Sequence, residues 1–368
     1  MSLMSEIEKA RKATIERCVV NLNQEKVKVG DFILNKNSKV IVDGEIRDRV
    51  VWSGDLFTSG PAAAKYLKDG LLYWRNSLLL TTSKIYKSGK LPACVSLKGK
   101  YRFLSYFFDT YGMWWIISAD GYLKRTKDKK FRKFFRQILS SVIGFYLKNV
   151  GKKLIYKTGR INFYSNWTVF RPRENVLTNV LLFKCLQIYE DHGFRSPFSL
   201  SDYKKAINQR FWNRKESLYF DNEQRGLAFL DGNSLCLMFS LATKKRKVKL
   251  IDSLKKFDTP FGPKAYIGNP RSITSYHKNI VSPFIAYVYA LALTRVGHQK
   301  KARIIVQKTI LSGLNLSKKF GQVTIPEFWK INGELGARAV TSNRFKYGRS
   351  LCHAWSTFGD YIIFPSTS

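Results

Sequence analysis

The chain has 368 residues and carries 64 Lys and Arg against 26 Asp and Glu, a formal net charge of +38. Hydrophobic residues make up 45% and aromatics 14%, enough for a large buried core, which argues against disorder despite the charge. Five scattered cysteines without a CxxC pair and four histidines without ligand spacing exclude a thiolate zinc site and a dense disulfide framework, so no metal is expected.

Residues 1–40 read as an extended or β lead-in, from the alternation over Val27–Leu34 and the turn signals at Gly30 and Asn35–Asn37. From Asp55 onward the apolar residues recur at helical spacing. Helices are predicted over Leu56–Leu67 and Leu71–Tyr86, parted by the turn pair Asp69-Gly70, then over Tyr101–Ser118 and Phe131–Asn149. Thr178–Asp191 follows, with Gly193 suited to a left-handed cap, and Ser199–Trp212, whose opening serine suits an N-cap. Leu227–Leu241, Val248–Phe257, Pro283–Val296, Lys300–Leu311 and Ser350–Ile363 complete the series. A row of helices with no fixed repeat speaks against a solenoid. It predicts an all-α chain, an (α/α)6 toroid of six helical hairpins over residues 41–368, whose aromatic-rich loops suit a cup that stacks on sugar rings.

The apolar run Met113–Ala119 is too short to span a bilayer, so no membrane span is expected. The N-terminus lacks a signal-peptide apolar stretch, which predicts a cytoplasmic protein by default, or an extracellular one if a leader precedes this chain. The basic runs Lys124–Arg136 and Lys244–Lys249 fall where a helix or its connecting loop is expected and read as a solvated basic face. With no zinc finger, RNA-recognition signature or glycine-rich phosphate loop, specific nucleic-acid binding is not expected.

The stretch Asp43–Asp55, DGEIRDRVVWSGD, gathers Asp43, Glu45, Asp48 and Asp55 with Arg47, Arg49 and Trp52. Clustered carboxylates repel, and repulsion with burial raises one pKa into the range of a general acid while an arginine keeps another ionised. The plain alternative is an exposed acidic loop paired to its own arginines. His353 taken alone reads as a core histidine, and of Trp114 and Trp115 at most one is expected to face the cup.

The same stretch resembles the DGxKRDRxxWxGD motif of the α-L-rhamnosidases of glycoside hydrolase family 78. Other segments follow in the family's order. Phe108–Trp114 looks like its SDTYxxW, and Asn166-Trp167 with Glu174–Phe183 looks like its DW…ENTxxNALLY. Asp231-Gly232-Asn233 and Thr259–Gly262 resemble its DGN and TPxG turns, and Ile280–Ile285 its NISPFI. Val323–Glu327 with Gly333 and Gly336 looks like STxIE…G..G, and Ser350–Ser356 like SHSHGWS. Three features depart from the pattern: Asn166 stands where Asp is common, Phe358-Gly359-Asp360 replaces the end of GWSxGPT, and Phe328-Trp329-Lys330 puts a cation near Glu327.

The resemblance implies the same toroid and an inverting hydrolysis of a terminal α-L-rhamnose or similar sugar, with a carbohydrate substrate and no cofactor. By position, Asp48 matches the general acid and Glu327 the general base. Asp43 and Asp55 match carboxylates that bind sugar hydroxyls, with Arg47 beside them. Trp52, Asp109, Trp114, Trp167, His353 and Trp355 match the lining of the sugar pocket. Two other functions stay open: a sugar-binding or scaffold protein on this fold without turnover, and a basic module that binds polyanions.

Overall fold

The computed structural model describes residues 3–45, 49–98, 100, 106–159, 171–222, 224, 226–270, 279–335 and 351–357. Among them run α1 (Leu3–Arg17), α2 (Leu56–Tyr66), α3 (Gly70–Thr82), α4 (Asp109–Arg125) and α5 (Lys129–Leu147). They are followed by α6 (Val176–Asp191), α7 (Leu200–Phe211), α8 (Leu230–Met238), α9 (Lys244–Ser253), α10 (Pro283–Arg295) and α11 (Gln299–Lys318). A last 3-10 turn spans Ala354–Thr357.

Neighbour packing closes a ring. α2 packs on α4, α4 on α6, α6 on α8, α8 on α10, α10 on the last 3-10 turn, and that turn on α2. The remaining helices stand outside: α3 on α2, α5 against α4 and α6, α7 on α6, and α11 on α10. α9 continues into the 3-10 turn Leu254–Phe257, which rests on α8. The chain is thus the (α/α)6 toroid that the helix series predicts.

Composition explains which helix goes where. In α10 every residue from Pro283 to Leu293 is buried, and in α8 every residue from Leu230 to Leu237. A helix apolar on all sides has to be surrounded. α9, KKRKVKLIDS, buries only Leu250, so it stays outside. The caps behave as their side chains dictate: Asn175 accepts the Thr178 amide at 3.0 Å and Ser199 those of Ser201 and Asp202. Gly193 takes the left-handed φ of +85° after α6. Asp69-Gly70 is a junction tighter than a loose turn. Gly70 is the first residue of α3, and a Cβ there would stand 1.8 Å from the Ala63 carbonyl oxygen.

The lead-in departs from expectation. Leu3–Arg17 is helical, and only the part from Val19 onward is extended. There Val19–Asn21 pairs antiparallel with Lys39–Ile41, and Val27–Val29 with Phe32–Leu34. Ile7, Ala10, Arg11, Thr14, Ile15 and Cys18 are fully buried, a three- and four-residue spacing that marks a helix face. This face serves α1 as the sixth outer helix, against α2, α11 and the last turn. Another shift is at α4, which begins at Asp109 and runs on to Arg125.

Candidate active site

Backbone hydrogen bonds assemble the rim on which the sequence placed its acid–base pair. The Asp43 amide donates to the Val50 carbonyl at 3.0 Å, and the Val50 amide to Asp43 Oδ1 at 3.2 Å. These two bonds tie off the chain on either side of Arg47 and Asp48, which lie outside the described residues. Arg49 follows in the left-handed region, φ +47°, with its guanidinium on the Glu45 carbonyl. Val50–Trp52 then pairs with Cys94–Ser96 and leads into α2.

The segment Cys352–Ser356 docks on this loop. Gly44 bridges His353 in antiparallel fashion, and the Ala354 amide donates to the Asp43 carbonyl at 2.7 Å. The His353 amide reaches the Ile325 carbonyl at 3.2 Å, and Ser356 Oγ reaches that of Pro326 at 2.8 Å. Ile325 donates its own amide to Thr14 Oγ1 of α1 at 3.0 Å. Asp43, His353 and the Ile325–Glu327 segment are therefore neighbours although roughly three hundred residues separate the first from the others. All three side chains are buried, Asp43 at 2%, His353 at 3% and Glu327 at 4% exposure. Asp55, also buried, sits at the N-cap of α2, one β-strand beyond the loop.

The aromatic positions divide. Trp52 packs edge-on to Phe108 at 5.6 Å and tilted against Tyr111 at 5.2 Å, and it is partly exposed. Trp114 of α4 lies between Phe57 of α2 and Phe284 of α10, at 4.5 and 5.6 Å, so it fills the axis of the ring. Trp115 turns outward, to Phe135 and the Leu78 carbonyl, so of the pair it is Trp114 that faces inward. Trp167 lies outside the described residues, and of Trp355 only the backbone, in the last turn, is described.

Asp109 opens α4 and is already bound. Lys90 Nζ pairs with one carboxylate oxygen, and Tyr156 Oη donates to the other at 2.9 Å. Tyr146 Oη donates to the Asp109 carbonyl at 2.9 Å. Burial first, and then the Asp109 charge, hold both tyrosines well above the ordinary phenol range, so they remain donors.

Sequence reasoning missed a second buried ionic group. Arg171 gives Nη2 to both oxygens of Asp231, at 2.7 and 3.0 Å, and Nη1 to Asp221 at 3.3 Å. Its guanidinium lies 3.7 Å over the Phe229 ring. Burial pushes the Asp221 carboxyl up to about 6; Arg171 and the Val176 amide oppose the rise and Asp231 adds to it. Asp231-Gly232-Asn233 is thus the first turn of α8 and not a loop turn. Its Asp holds Arg171, and its Asn bridges the Tyr219 amide and the Tyr219 and Phe229 carbonyls. The DGN motif pointed to this spot, but pairing across 50 and 60 residues has no local signature.

A cavity of about 870 Å³ opens at the other end of the ring, among the C-terminal halves of α4, α6, α8 and α10. It lies away from the predicted carboxylates. No group of His, Cys, Asp and Glu among the described residues is arranged to hold a metal, and no helix among them is long and apolar enough to cross a membrane.

No family model matches the chain, and no curated protein matches its sequence. Solved structures do match its fold. A rhamnosidase from Klebsiella oxytoca with rhamnose bound superimposes with a TM-score of 0.68 at 15% identity, over 96% of this chain and 62% of that one. A family 78 rhamnosidase of Bacillus sp. GL1 gives 0.67 at 15% identity, over 97% of this chain and 34% of that one. A neutral trehalase from Saccharomyces cerevisiae gives 0.64 at 11%, over 96% and 78%. The chain spans about three fifths and one third of the two rhamnosidases, and the similarity read in its motifs holds at the level of the fold: it is a six-hairpin toroid of the kind seen in these glycosidases.

Proposed function

We propose that the chain is an inverting glycoside hydrolase that removes a terminal α-L-rhamnose or a similar sugar. Asp48 is the general acid that protonates the leaving oxygen, and Glu327 is the base that takes a proton from water on the opposite face. The observation that carries this reading is the backbone knit of Asp43, His353 and Ile325, which joins the loop bearing Asp48 to the segment bearing Glu327. Asp43 and Asp55 bind sugar hydroxyls with Arg47, while Trp52, Asp109, Trp114, Trp167, His353 and Trp355 line the pocket. Asp109, held by Lys90 and Tyr156, fixes that wall.

In an inverting enzyme the two carboxyl groups stand roughly 6.5–9.5 Å apart, which leaves room for the water. The test is hydrolysis of a panel of nitrophenyl glycosides with the product anomer followed by NMR. Asp48→Asn should abolish turnover of poor leaving groups and spare good ones, because only the former need the proton. Glu327→Gln should slow both by about 10²–10⁴-fold. Full activity in Glu327→Gln on any substrate would overturn the assignment and direct attention to Glu334.

A further inference from the structure

Three buried acidic groups near the starts of the inner helices are paired with buried cations. Asp109 is held by Lys90, and Asp221 and Asp231 by Arg171. Just outside Arg171 a cavity of about 550 Å³ is bordered by Lys157, Arg173, Arg210, Glu174, Phe220 and Asn222. Arg173 and Glu174 immediately precede the N-cap of α6, and Asn222 lies in the loop that leads to α8, so the cavity belongs to the end where the inner helices begin.

Within it a carboxylate is already gripped. Glu174 accepts from Lys157 Nζ at 3.0 Å and from Arg210 Nε at 2.8 Å. Partial burial raises its pKa, but the bonds from Arg210 and Lys157 outweigh that and hold it below the usual range. Arg173 donates Nε to the Thr158 carbonyl at 3.0 Å, which uses one of the five N–H donors of a guanidinium. Asp221 also borders the space, but its oxygens are turned inward, to Arg171 at 3.3 Å and to the Val176 amide at 2.8 Å. Three exposed cations thus surround one rim carboxylate, in a chain whose +38 charge draws anions toward every opening.

We propose that this cavity is a subsite for an acidic sugar: the glycan whose terminal residue is removed carries a uronate, and Lys157, Arg173 and Arg210 bind its carboxylate. The proposal rests on the glycosidase reading above and names its substrate class. Guanidinium and carboxylate match as paired donors and acceptors; Lys157 and Arg210 already hold Glu174, so the uronate shares them with it and takes further N–H groups of Arg173. Phe220 supplies an apolar wall for a ring face.

The experiment compares two synthetic disaccharides with the same terminal sugar, one on glucuronate and one on glucose. Exposed charge contacts are individually weak, so the uronate compound should show a KM about three- to tenfold lower in dilute buffer. The advantage should shrink toward one at about 0.5 M salt, where screening is short-ranged. It should collapse in the double variant Lys157→Gln/Arg210→Gln and fall partway in Arg173→Gln. These side chains are exposed, so the fold survives the changes. Equal KM values for the two disaccharides, or a preference that the variants keep, would overturn the subsite. Binding of both disaccharides to Glu327→Gln by calorimetry separates the two ideas. Turnover of nitrophenyl glycosides without a uronate preference sinks the subsite alone; uronate-selective binding with no turnover of any glycoside sinks the catalytic reading alone. Selective binding of duplex DNA with no uronate preference would replace both with a polyanion module.

Discussion

Asp221 shows how a single burial changes chemistry. Its carboxyl, displaced chiefly by loss of solvent, takes up a proton at about pH 6 in the folded chain and near pH 4 once unfolded. Between those values the folded state binds more protons, so stability falls as pH rises through the window. In Asp221→Asn that part of the fall should vanish. Thermal melts from about pH 4 to 7 check it, and a wild-type profile no steeper than the variant's would refute it. The residue-level reading of the sequence found Asp43, Glu327 and His353, which the fold does gather, because a motif fixes residue type and order. It did not find Arg171 with Asp221, because neither residue has a local pattern and the pair exists only after two inner helices start side by side.

At the scale of elements, the helices legible in the sequence are those whose burial is one-sided or complete. The one that escaped, α1, has a good helical stripe that the strand signals after it obscured. It reaches into the site through Thr14, whose hydroxyl accepts the Ile325 amide two residues before Glu327 and donates to the Ala10 carbonyl. Thr14→Val keeps the shape and strands that buried amide, so a loss of about 1–3 kcal/mol in urea unfolding is expected, together with a fall in kcat. Unchanged stability and kcat would mean that α1 does not support Glu327, the proposed base. The α2–α3 hairpin gives a second test. Gly60 has the Trp74 indole where a Cβ would sit, 2.3 Å away, and that indole is anchored to Ser118 at 2.9 Å. Gly60→Ala should therefore cost about 1–3 kcal/mol through overpacking, measured as a lower denaturation midpoint; an equal or higher midpoint would show that Trp74 can move aside.

For the whole molecule the dominant quantity is charge. With 64 basic and 26 acidic side chains, like-charge repulsion opposes the compact state. The Debye length falls from about 30 Å at 0.01 M to about 8 Å at 0.15 M salt. The melting temperature should rise across that range, and a flat or falling curve would show that the charges are already paired locally.

The sequence by itself determined the class of the molecule: composition demanded a core, periodicity gave the hairpins, and fully apolar helices had to be the inner ones. These are properties of single segments, written in the spacing of their residues. What only the tertiary structure decided is which ends meet. The first helix takes the last outer place, Ala354 bonds to Asp43, and Arg171 is shared between two aspartates fifty and sixty residues on. Such contacts are set by ring closure, where the inner helices leave one place for each segment and buried backbone groups accept whichever partner arrives there.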